Sequence, residues 1–402
     1  MRKLLLIPII LLLFTGLSFS SDDLQEEVKE LKEKVAELEK RLEKQEAENP
    51  LKNIDISFGI TMIGQGNTDD DKSGEEPYES ATDTSYSFDI EISKTFKNSE
   101  IYMHLEGGDG EGRDREITTW TGINGDAYDT DSEVRLSELH FSSNIKNIIS
   151  FTFGKVDLTG YFDTNEVAND ETTQFLSAGL VNNPGVEFPD YGPGIVTSIS
   201  PSDAITIILG YESIDDAGDP EWDNFFNGGF FIGELDLSLK PLGLPGNYRF
   251  YYWNSNRDHE DYSDGAKVKG ENNEGIGISI DQVLIKDILT AFVRFGWQDE
   301  DLSEFESFYS GGFELSGSIW ERSNDRLGIA YQLCKISDEF EDYRKQMGSE
   351  QKEDEHHFEL YYKLPISEYL ELSFDYQWIK NPAGYDDLDD VHLIGLRTQI
   401  SF

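Results

Sequence analysis

The sequence predicts an all-β transmembrane barrel of sixteen antiparallel strands, preceded by a short coiled coil. Three observations carry this prediction: strand-length segments that alternate apolar and polar residues, connections that alternate between short and long, and no apolar run long enough for a membrane helix. The clearest strand ends the chain, where Ile394, Leu396 and Ile400 alternate with Arg397 and Gln399. One face of such a strand would meet an apolar medium and the other would meet water.

Composition narrows the function. The chain has 402 residues and a formal net charge of −47 at pH 7, so it is not expected to bind nucleic acid by neutralising phosphates. Its single cysteine, Cys334, allows no intrachain disulfide and is expected to be a wall residue. The six histidines show no spacing typical of metal ligands or of a catalytic site, and carboxylates are too frequent to indicate a glycosidase. We therefore expect no enzyme, no cofactor and no metal site.

The first twenty residues predict a secretory signal peptide. Arg2 and Lys3 precede an apolar run from Leu4 to Phe14, and small residues follow up to a plausible cleavage site after Ser20. The apolar run is too short for a confident membrane span. We therefore expect residues 1–20 to be removed on export.

Residues 21–50 predict a short periplasmic coiled coil that ends at Asn49-Pro50. Apolar residues recur with alternating spacings of four and three, and Glu and Lys fill most of the other positions. The apolar seam consists of Leu24, Val28, Leu31, Val35, Leu38 and Leu42. Three heptads are marginal alone, so we expect this helix to aid an assembly held together elsewhere. A solvated monomeric helix is the alternative.

The remaining residues, 51–402, are expected to form the barrel domain. Strands are predicted near 53–64, 84–95, 99–107, 133–143, 148–158, 192–200, 203–213, 229–240, 246–256, 273–281, 287–298, 308–320, 326–336, 354–364, 369–380 and 391–402. Long acidic connections are predicted at 65–83, 108–132, 159–191, 214–228, 257–272, 299–307, 337–353 and 381–390. Short turns at one end and long loops at the other are typical of outer-membrane barrels, with the turns in the periplasm. A β-sandwich or β-propeller would not explain this alternation.

The fourth strand breaks its own alternation. Val134 and Leu136 share one phase, whereas Leu139 and Phe141 share the other. Either a β-bulge between the two pairs or a misplaced boundary would explain the change.

Three stretches resemble carbohydrate-selective porins of the OprB type. They are residues 160–194, with Gly160-Tyr-Phe-Asp-Thr-Asn165 and Pro189-Asp-Tyr-Gly-Pro-Gly194, residues 321–330, and the C-terminal hairpin 369–402 with Gly395-Leu-Arg-Thr-Gln-Ile-Ser-Phe402. The resemblance implies a sixteen-stranded outer-membrane channel, a homotrimer, that passes sugars such as monosaccharides by facilitated diffusion. The terminal Phe402 resembles the assembly signal of such barrels.

A channel of this kind requires a constriction, and the loop 159–191 is the candidate to fold into the lumen. Its candidate solute-binding residues are Asp163, Asn165, Glu166, Asp170, Glu171, Gln174, Asn182 and Asn183. The wall strands would supply hydrogen-bond donors on their inward phase from Arg135, Lys155, Arg249, Arg294 and Arg397. Trp253 could stack on the apolar face of a sugar ring.

Alternatives stay open for these residues and for the solute. Each arginine could be a salt-bridged wall residue, and Trp253 could pack beneath a loop. A general or ion-selective porin for small nutrients is the alternative function, since the inward arginines and the overall acidity favour opposite ions. An outer-membrane hydrolase is disfavoured, because no histidine has a catalytic partner nearby in the sequence.

Overall fold

The computed structural model describes residues 52–68, 78–127, 132–270, 272–348 and 353–402, together with residues 29, 32–37 and 40 near the N-terminus. In this part of the chain sixteen strands form one closed antiparallel barrel, as predicted. Two short strands, β10 and β11, pair separately within the connection between β9 and β12. The strands are β1 (Ile54–Asn67), β2 (Thr82–Thr95), β3 (Ser99–Asp109), β4 (Arg135–Ile145), β5 (Ile149–Val156), β6 (Gly192–Ser202), β7 (Ile205–Glu212), β8 (Phe230–Leu239), β9 (Gly246–Ser255), β10 (His259–Asp261), β11 (Lys267–Lys269), β12 (Asn273–Ile285), β13 (Leu289–Gln298), β14 (Phe305–Ser316), β15 (Arg326–Ile336), β16 (Glu355–Pro365), β17 (Leu370–Lys380) and β18 (Val391–Ser401).

The last strand closes the barrel by pairing with the first. Ile400 pairs with Ile60 and Leu396 pairs with Gly64, while the other edge of β18 pairs with β17. Closure leaves no unpaired strand edge in the barrel. This matters in an apolar bilayer, where each backbone N–H or C=O group without a hydrogen bond costs several kcal/mol.

The two faces of the wall strands differ as their alternation predicts. On β18, Ile394 is 69% exposed and Leu396 is also exposed, whereas Leu393 and Arg397, which flank them in the sequence, are buried. On β17, Phe374 is exposed on the outer surface and Gln377 is buried inside. The outer surface is therefore an apolar band suited to lipid, and the interior is polar.

A β-bulge accounts for the phase break in the fourth strand. Leu105 of β3 pairs with Leu136, and the next residue, His104, pairs with Glu138, so Ser137 is the extra residue of β4. The bulge brings both Leu136 and Leu139 to the exposed outer face.

Several connections carry structure that the alternation did not indicate. Helices occur at Ala178–Val181 and at Asp338–Met347. Short 3₁₀ segments occur at Gly112–Arg115, Pro241–Gly243, Tyr262–Asp264, Gly317–Trp320 and Pro382–Gly384. Cys334 is buried beside Phe305 and Phe308.

Residues 1–54 form a unit separate from residues 55–402. Residues 29, 32–37 and 40 are helical and exposed, and among the seam residues of the predicted coiled coil only Val35 belongs to them. The signal peptide at 1–20 and the other seam residues lie outside the described residues. Within the described portion, no helix is long and apolar enough to cross a membrane.

Candidate functional site

The connection between β5 and β6, residues 157–191, folds into the barrel and packs against inward-facing wall residues. Phe175 meets Tyr361 of β16 edge-on, with ring centroids 4.8 Å apart, and lies 5.7 Å from the ring of Phe292 on β13. Leu180 is buried in the same cluster. The loop therefore packs apolar side chains against the inner faces of β13 and β16.

Several polar contacts, called latches below, hold this loop to the wall strands, and the most deeply buried of them is an ion pair. The Arg294 guanidinium on β13 lies 3.0 Å from the Asp163 carboxylate, and both side chains are fully buried. The same guanidinium donates hydrogen bonds to the carbonyl oxygens of Leu180, Ala168 and Val181, at 2.9, 3.0 and 3.2 Å. A planar guanidinium with five N–H donors can bind separate segments of one loop at the same time.

Asn183 adds a second polar contact at the same place. Its backbone N–H donates to Asp163 at 2.8 Å, and its side-chain amide donates to the Tyr251 hydroxyl at 2.7 Å and to the Phe295 carbonyl at 2.9 Å. A Cβ at Gly296 would lie only 2.4 Å from the Asn183 side chain, so the wall needs a glycine for the loop to approach this closely.

Further contacts hold the middle of the loop to strands on the same side of the barrel, β16 and β18. The Glu359 carboxylate accepts hydrogen bonds from the backbone N–H groups of Leu176 and Ser177. The Arg397 guanidinium donates to the backbone carbonyl oxygens of Glu171 and Gln174. The loop is thus fixed by β13, β16 and β18 through groups that strand alternation already turns inward.

A second loop, residues 110–127 between β3 and β4, also enters the barrel. The buried Glu355 carboxylate accepts hydrogen bonds from the backbone N–H groups of Trp120 and Thr121, at 2.8 and 3.0 Å. Within the loop, Asp114 accepts from the N–H groups of Ile123 and Asn124. Strand alternation does not predict this insertion, although an apolar residue within an acidic segment, Ile123, is a signal for it and is buried in the structure.

The arginines predicted to donate hydrogen bonds to a solute in the lumen instead bind the loop or the wall. Arg294 and Arg397 bind the loop, and Arg249 pairs with Asp281 of β12 at 2.7 Å in the buried wall. Trp253 is fully buried and stacks on Phe230, so it packs beneath the loop and the prediction that it stacks on a sugar is wrong.

Two other wall predictions have different outcomes. Lys155 pairs across the strands with Leu139 and shares its phase with the exposed Phe153, so its predicted inward position is wrong. Its Nζ donates to the Leu136 carbonyl at 2.6 Å. Arg135, the first residue of β4, lies opposite Glu106 in the register of β3 and β4, and its side chain is exposed.

The predicted loop residues divide into three groups. Asp163 and Asn165 are buried against the wall, so the prediction that they contact solute is wrong, whereas Asn183 is also buried but borders open space in the lumen. Asp170 accepts from the hydroxyls of Thr172 and Thr173, Gln174 donates to the Glu166 carbonyl, and the Glu166 side chain is exposed. Glu171 and Asn182 line open space in the lumen.

That open space lies between the loops and the strands β1–β4. A cavity of about 500 Å³ meets β2 at Asp89 and Glu91, β3 at His104 and Glu106, and β4 at Glu138. A second cavity of about 690 Å³ lies along the loops. Both cavities are lined by Gly125, Asp157, Glu171 and Tyr191, so they are parts of one passage.

The passage is strongly acidic. None of the described residues that line the first cavity is a lysine or an arginine. On the loop side, burial raises the pKa of Glu171 to about 8 and the pKa of Asp126 to about 7. Neighbouring carboxylates add to both shifts, with Asp126 acting on Glu171 and Asp89 acting on Asp126.

The wall carboxylates of this passage were visible in the sequence as polar-phase residues, but they were not selected. Asp89 and Glu91 alternate with Ile90 and Ile92 on β2. Strand phase does not reveal which inward side chains a loop covers, so the arginines were the predicted donors although the loop covers them.

Comparisons with known proteins agree with this architecture. The family model described as "Carbohydrate-selective porin, OprB family" matches residues 78–402. This chain belongs to the carbohydrate-selective porin family of the OprB type. It is therefore an outer-membrane channel, as the sequence resemblance predicted, and porins of this family are channels rather than enzymes.

The family relatives are distant in sequence. An uncharacterized protein of Aquifex aeolicus is 27% identical over 325 residues, covering 81% of this chain and 84% of the relative. Porin B of Pseudomonas aeruginosa is 21% identical over 189 residues, covering 40% and 42% of the two chains. The high-pH structure of Pseudomonas putida OprB superposes with a TM-score of 0.74 at 17% identity, over 87% of this chain and 94% of that one. The outer-membrane channel DcaP of Acinetobacter baumannii gives a TM-score of 0.56 at 10% identity, over 87% and 97%.

Proposed function

We propose that this porin passes small neutral sugars by passive diffusion, through the acidic passage between the two inserted loops and strands β1–β4. The observation that carries the proposal is the one-sided latching of the longer loop. Arg294, Glu359 and Arg397 hold it to β13, β16 and β18, and the open space remains beside β2–β4. A cavity of about 500 Å³ is within the size range of small-molecule sites.

The lining chemistry suits hydroxyl-rich solutes. Carboxylates such as Glu91 and Glu171 accept hydrogen bonds from sugar hydroxyls, and the side-chain amide of Gln399 can donate in return. Tyr191 offers both an aromatic face and a hydroxyl. A ladder of weak sites with these groups would let a sugar exchange its hydration shell stepwise without being held.

Two measurements test the proposal on the purified, reconstituted protein. Liposome swelling compares permeation of a monosaccharide with that of an uncharged polyol of similar size, and planar bilayers follow single-channel current while the sugar is titrated. We expect the sugar to reduce ion current in a saturable way, and Glu171→Gln to weaken that effect severalfold. A current that responds equally to the sugar and to the polyol would contradict sugar selectivity while leaving the channel itself intact.

A second candidate function is a cation-selective porin for small nutrients. The acidic lining of the first cavity favours it, because like-charged carboxylates attract cations and repel anions. Reversal potentials in a salt gradient would show strong cation preference together with no saturable sugar effect if this function is the main one.

We further propose that the mature protein is an outer-membrane homotrimer with sugars and lipid as its partners, composed of a periplasmic coiled coil at 21–50 and the barrel at 51–402. The unbroken heptad spacing supports the coiled coil, and the family supports the membrane location. Native mass spectrometry of the detergent-solubilised protein tests the trimer, and a monomeric mass at all protein concentrations would contradict it.

A further inference from the structure

One cluster in the passage has a composition that sugar transport does not require. An imidazole and three carboxylates lie side by side on the inward faces of β2, β3 and β4. Strand pairing puts Asp89 opposite Glu106, and the bulged pairing puts His104 opposite Glu138. All four side chains line the first cavity, so an ion can reach them from the passage.

The distances in this cluster are close to those of a metal site. His104 Nε2 lies 3.0 Å from Asp89 Oδ1, and His104 Nδ1 lies 3.9 Å from both Glu106 Oε2 and Glu138 Oε1. One ligand atom each from Asp89, His104 and Glu106 fall within 4.8 Å of one another. Ligands of a tetrahedral zinc ion with bonds of about 2.1 Å lie about 3.4 Å apart. Only one imidazole nitrogen binds a given ion, so a turn of the His104 ring together with small movements of the carboxylates would bring one ligand atom of each residue to this spacing.

A second observation points independently to a missing cationic partner. Glu106 is only 7% exposed, and its Oε1 is buried without a hydrogen-bond partner among the described residues. Its other oxygen accepts from the Tyr191 hydroxyl at 3.3 Å. A buried carboxylate oxygen without a partner is costly, and neither lysine nor arginine occurs among the described residues that line this cavity. A bound cation would remove that cost.

We propose that Asp89, His104 and Glu106 bind a divalent transition-metal ion such as Zn²⁺ in the wall of the passage, with Glu138 as the fourth ligand. The imidazole favours Zn²⁺ or Ni²⁺ over Mg²⁺ and Ca²⁺, which prefer ligands made only of oxygen. The site does not depend on which solute the channel carries. A bound ion would add two positive charges to an acidic passage, so it would lower the cation current and change the local field on passing solutes.

The test uses the full-length porin purified without a polyhistidine tag and stripped with a chelator. Bound zinc is counted per chain by elemental analysis after dialysis, and affinity is measured by calorimetry. His104→Gln and Asp89→Asn remove ligands while they keep side-chain volume. Glu171→Gln is the control for loss of a carboxyl group that lines the same cavity but is not a proposed ligand. His356→Gln is the control for loss of a histidine, since the exposed side chains of His356 and Tyr331 are hydrogen-bonded to each other and do not belong to the proposed site.

We expect one zinc ion per chain in the wild type and in both controls, and at least a tenfold loss of affinity in His104→Gln and in Asp89→Asn. In planar bilayers, micromolar Zn²⁺ should reduce the single-channel current of the wild type but not that of His104→Gln. Heat-modifiable migration on gels confirms that each variant is folded.

Three results would overturn the proposal. One is a wild type that binds no zinc, and another is a folded His104→Gln that binds zinc as the wild type does. The third is equal displacement of zinc by Ca²⁺ or Mg²⁺ at equal concentration, which would show a nonspecific acidic patch. Each of these results leaves the sugar assay unaffected, so failure of the metal site can be distinguished from failure of the proposed function.

Discussion

Replacing Arg294 with methionine should release part of the inserted loop. Methionine keeps most of the apolar volume of the arginine, but it leaves the Asp163 carboxylate buried without its cation. The carbonyl oxygens of Leu180, Ala168 and Val181 also lose their shared donor. Breaking a buried ion pair from one side costs about 3–5 kcal/mol. Because both side chains are fully buried, solvent screening does not reduce that cost.

A cost of this size shifts the balance between the latched and the released loop by about 10²- to 10⁴-fold. The sixteen-stranded wall keeps its backbone hydrogen bonds, so the barrel itself should remain folded. We expect Arg294→Met to show faster hydrogen exchange at the Asn183 amide, which donates to Asp163 in the latched loop. Liposome swelling should show that a trisaccharide now permeates at least twofold faster relative to a monosaccharide.

The control is Arg322→Ala, which removes an arginine from the exposed turn between β14 and β15, where it pairs with Asp325. Permeation and Asn183 exchange should both be unchanged in this variant. If Arg294→Met is folded and shows the wild-type permeation ratio and the wild-type Asn183 exchange, the loop is not held by this ion pair.

Three further predictions concern other parts of the molecule. Burial raises the pKa of Glu171 to about 8 and that of Asp126 to about 7, so lowering the pH from 9 to 6 protonates both groups and should reduce cation preference in reversal-potential measurements. The double variant that combines Glu171→Gln with Asp126→Asn should flatten this pH dependence of cation preference. An equally steep pH dependence in the double variant would contradict the assignment to these two groups. In Glu359→Gln, the side-chain NH2 group would face one of the two loop N–H groups that donate to the carboxylate, and the loss of that hydrogen bond costs about 1–3 kcal/mol. Hydrogen exchange at the Leu176 amide should therefore become faster, and unchanged exchange would show that the carboxylate is dispensable. Deleting residues 21–50 should slow trimer assembly without closing the pore, and equal trimer yield and heat resistance would remove this role.

The barrel could be predicted from the sequence because its physics is local. Inward and outward residues alternate along each strand, and the alternation persists from β1 to β18 at nearly the predicted bounds. Even the irregularity of β4 was readable, because an extra residue at Ser137 shifts the apolar phase by one position. These signals need no knowledge of which strand lies across the lumen.

The constriction could not be predicted to the same extent, because its contacts join residues far apart in the chain. Alternation correctly turns Arg294 and Arg397 inward, but it does not say that loop carbonyls reach them first. Trp253 shows the same limit, since an inward aromatic residue can be covered by a loop or exposed to the passage. The prediction for Lys155 fails for a local reason, because Lys155 shares its phase with Phe153, which is exposed on the outer face.

The fate of the arginines also explains the charge of the passage. A loop that enters a polar barrel must bury many carbonyl oxygens, and guanidinium groups satisfy several of them at once, as Arg294 does with four. Arg294 and Arg397 thereby hold the loop, and Arg249 pairs with Asp281 in the wall, whereas the carboxylates of β2–β4 line the open space. The resulting field repels anions but exerts little net force on a neutral sugar, which can still hydrogen-bond to the carboxylates that create it. Latching and selectivity are therefore two consequences of one division of charges within the lumen.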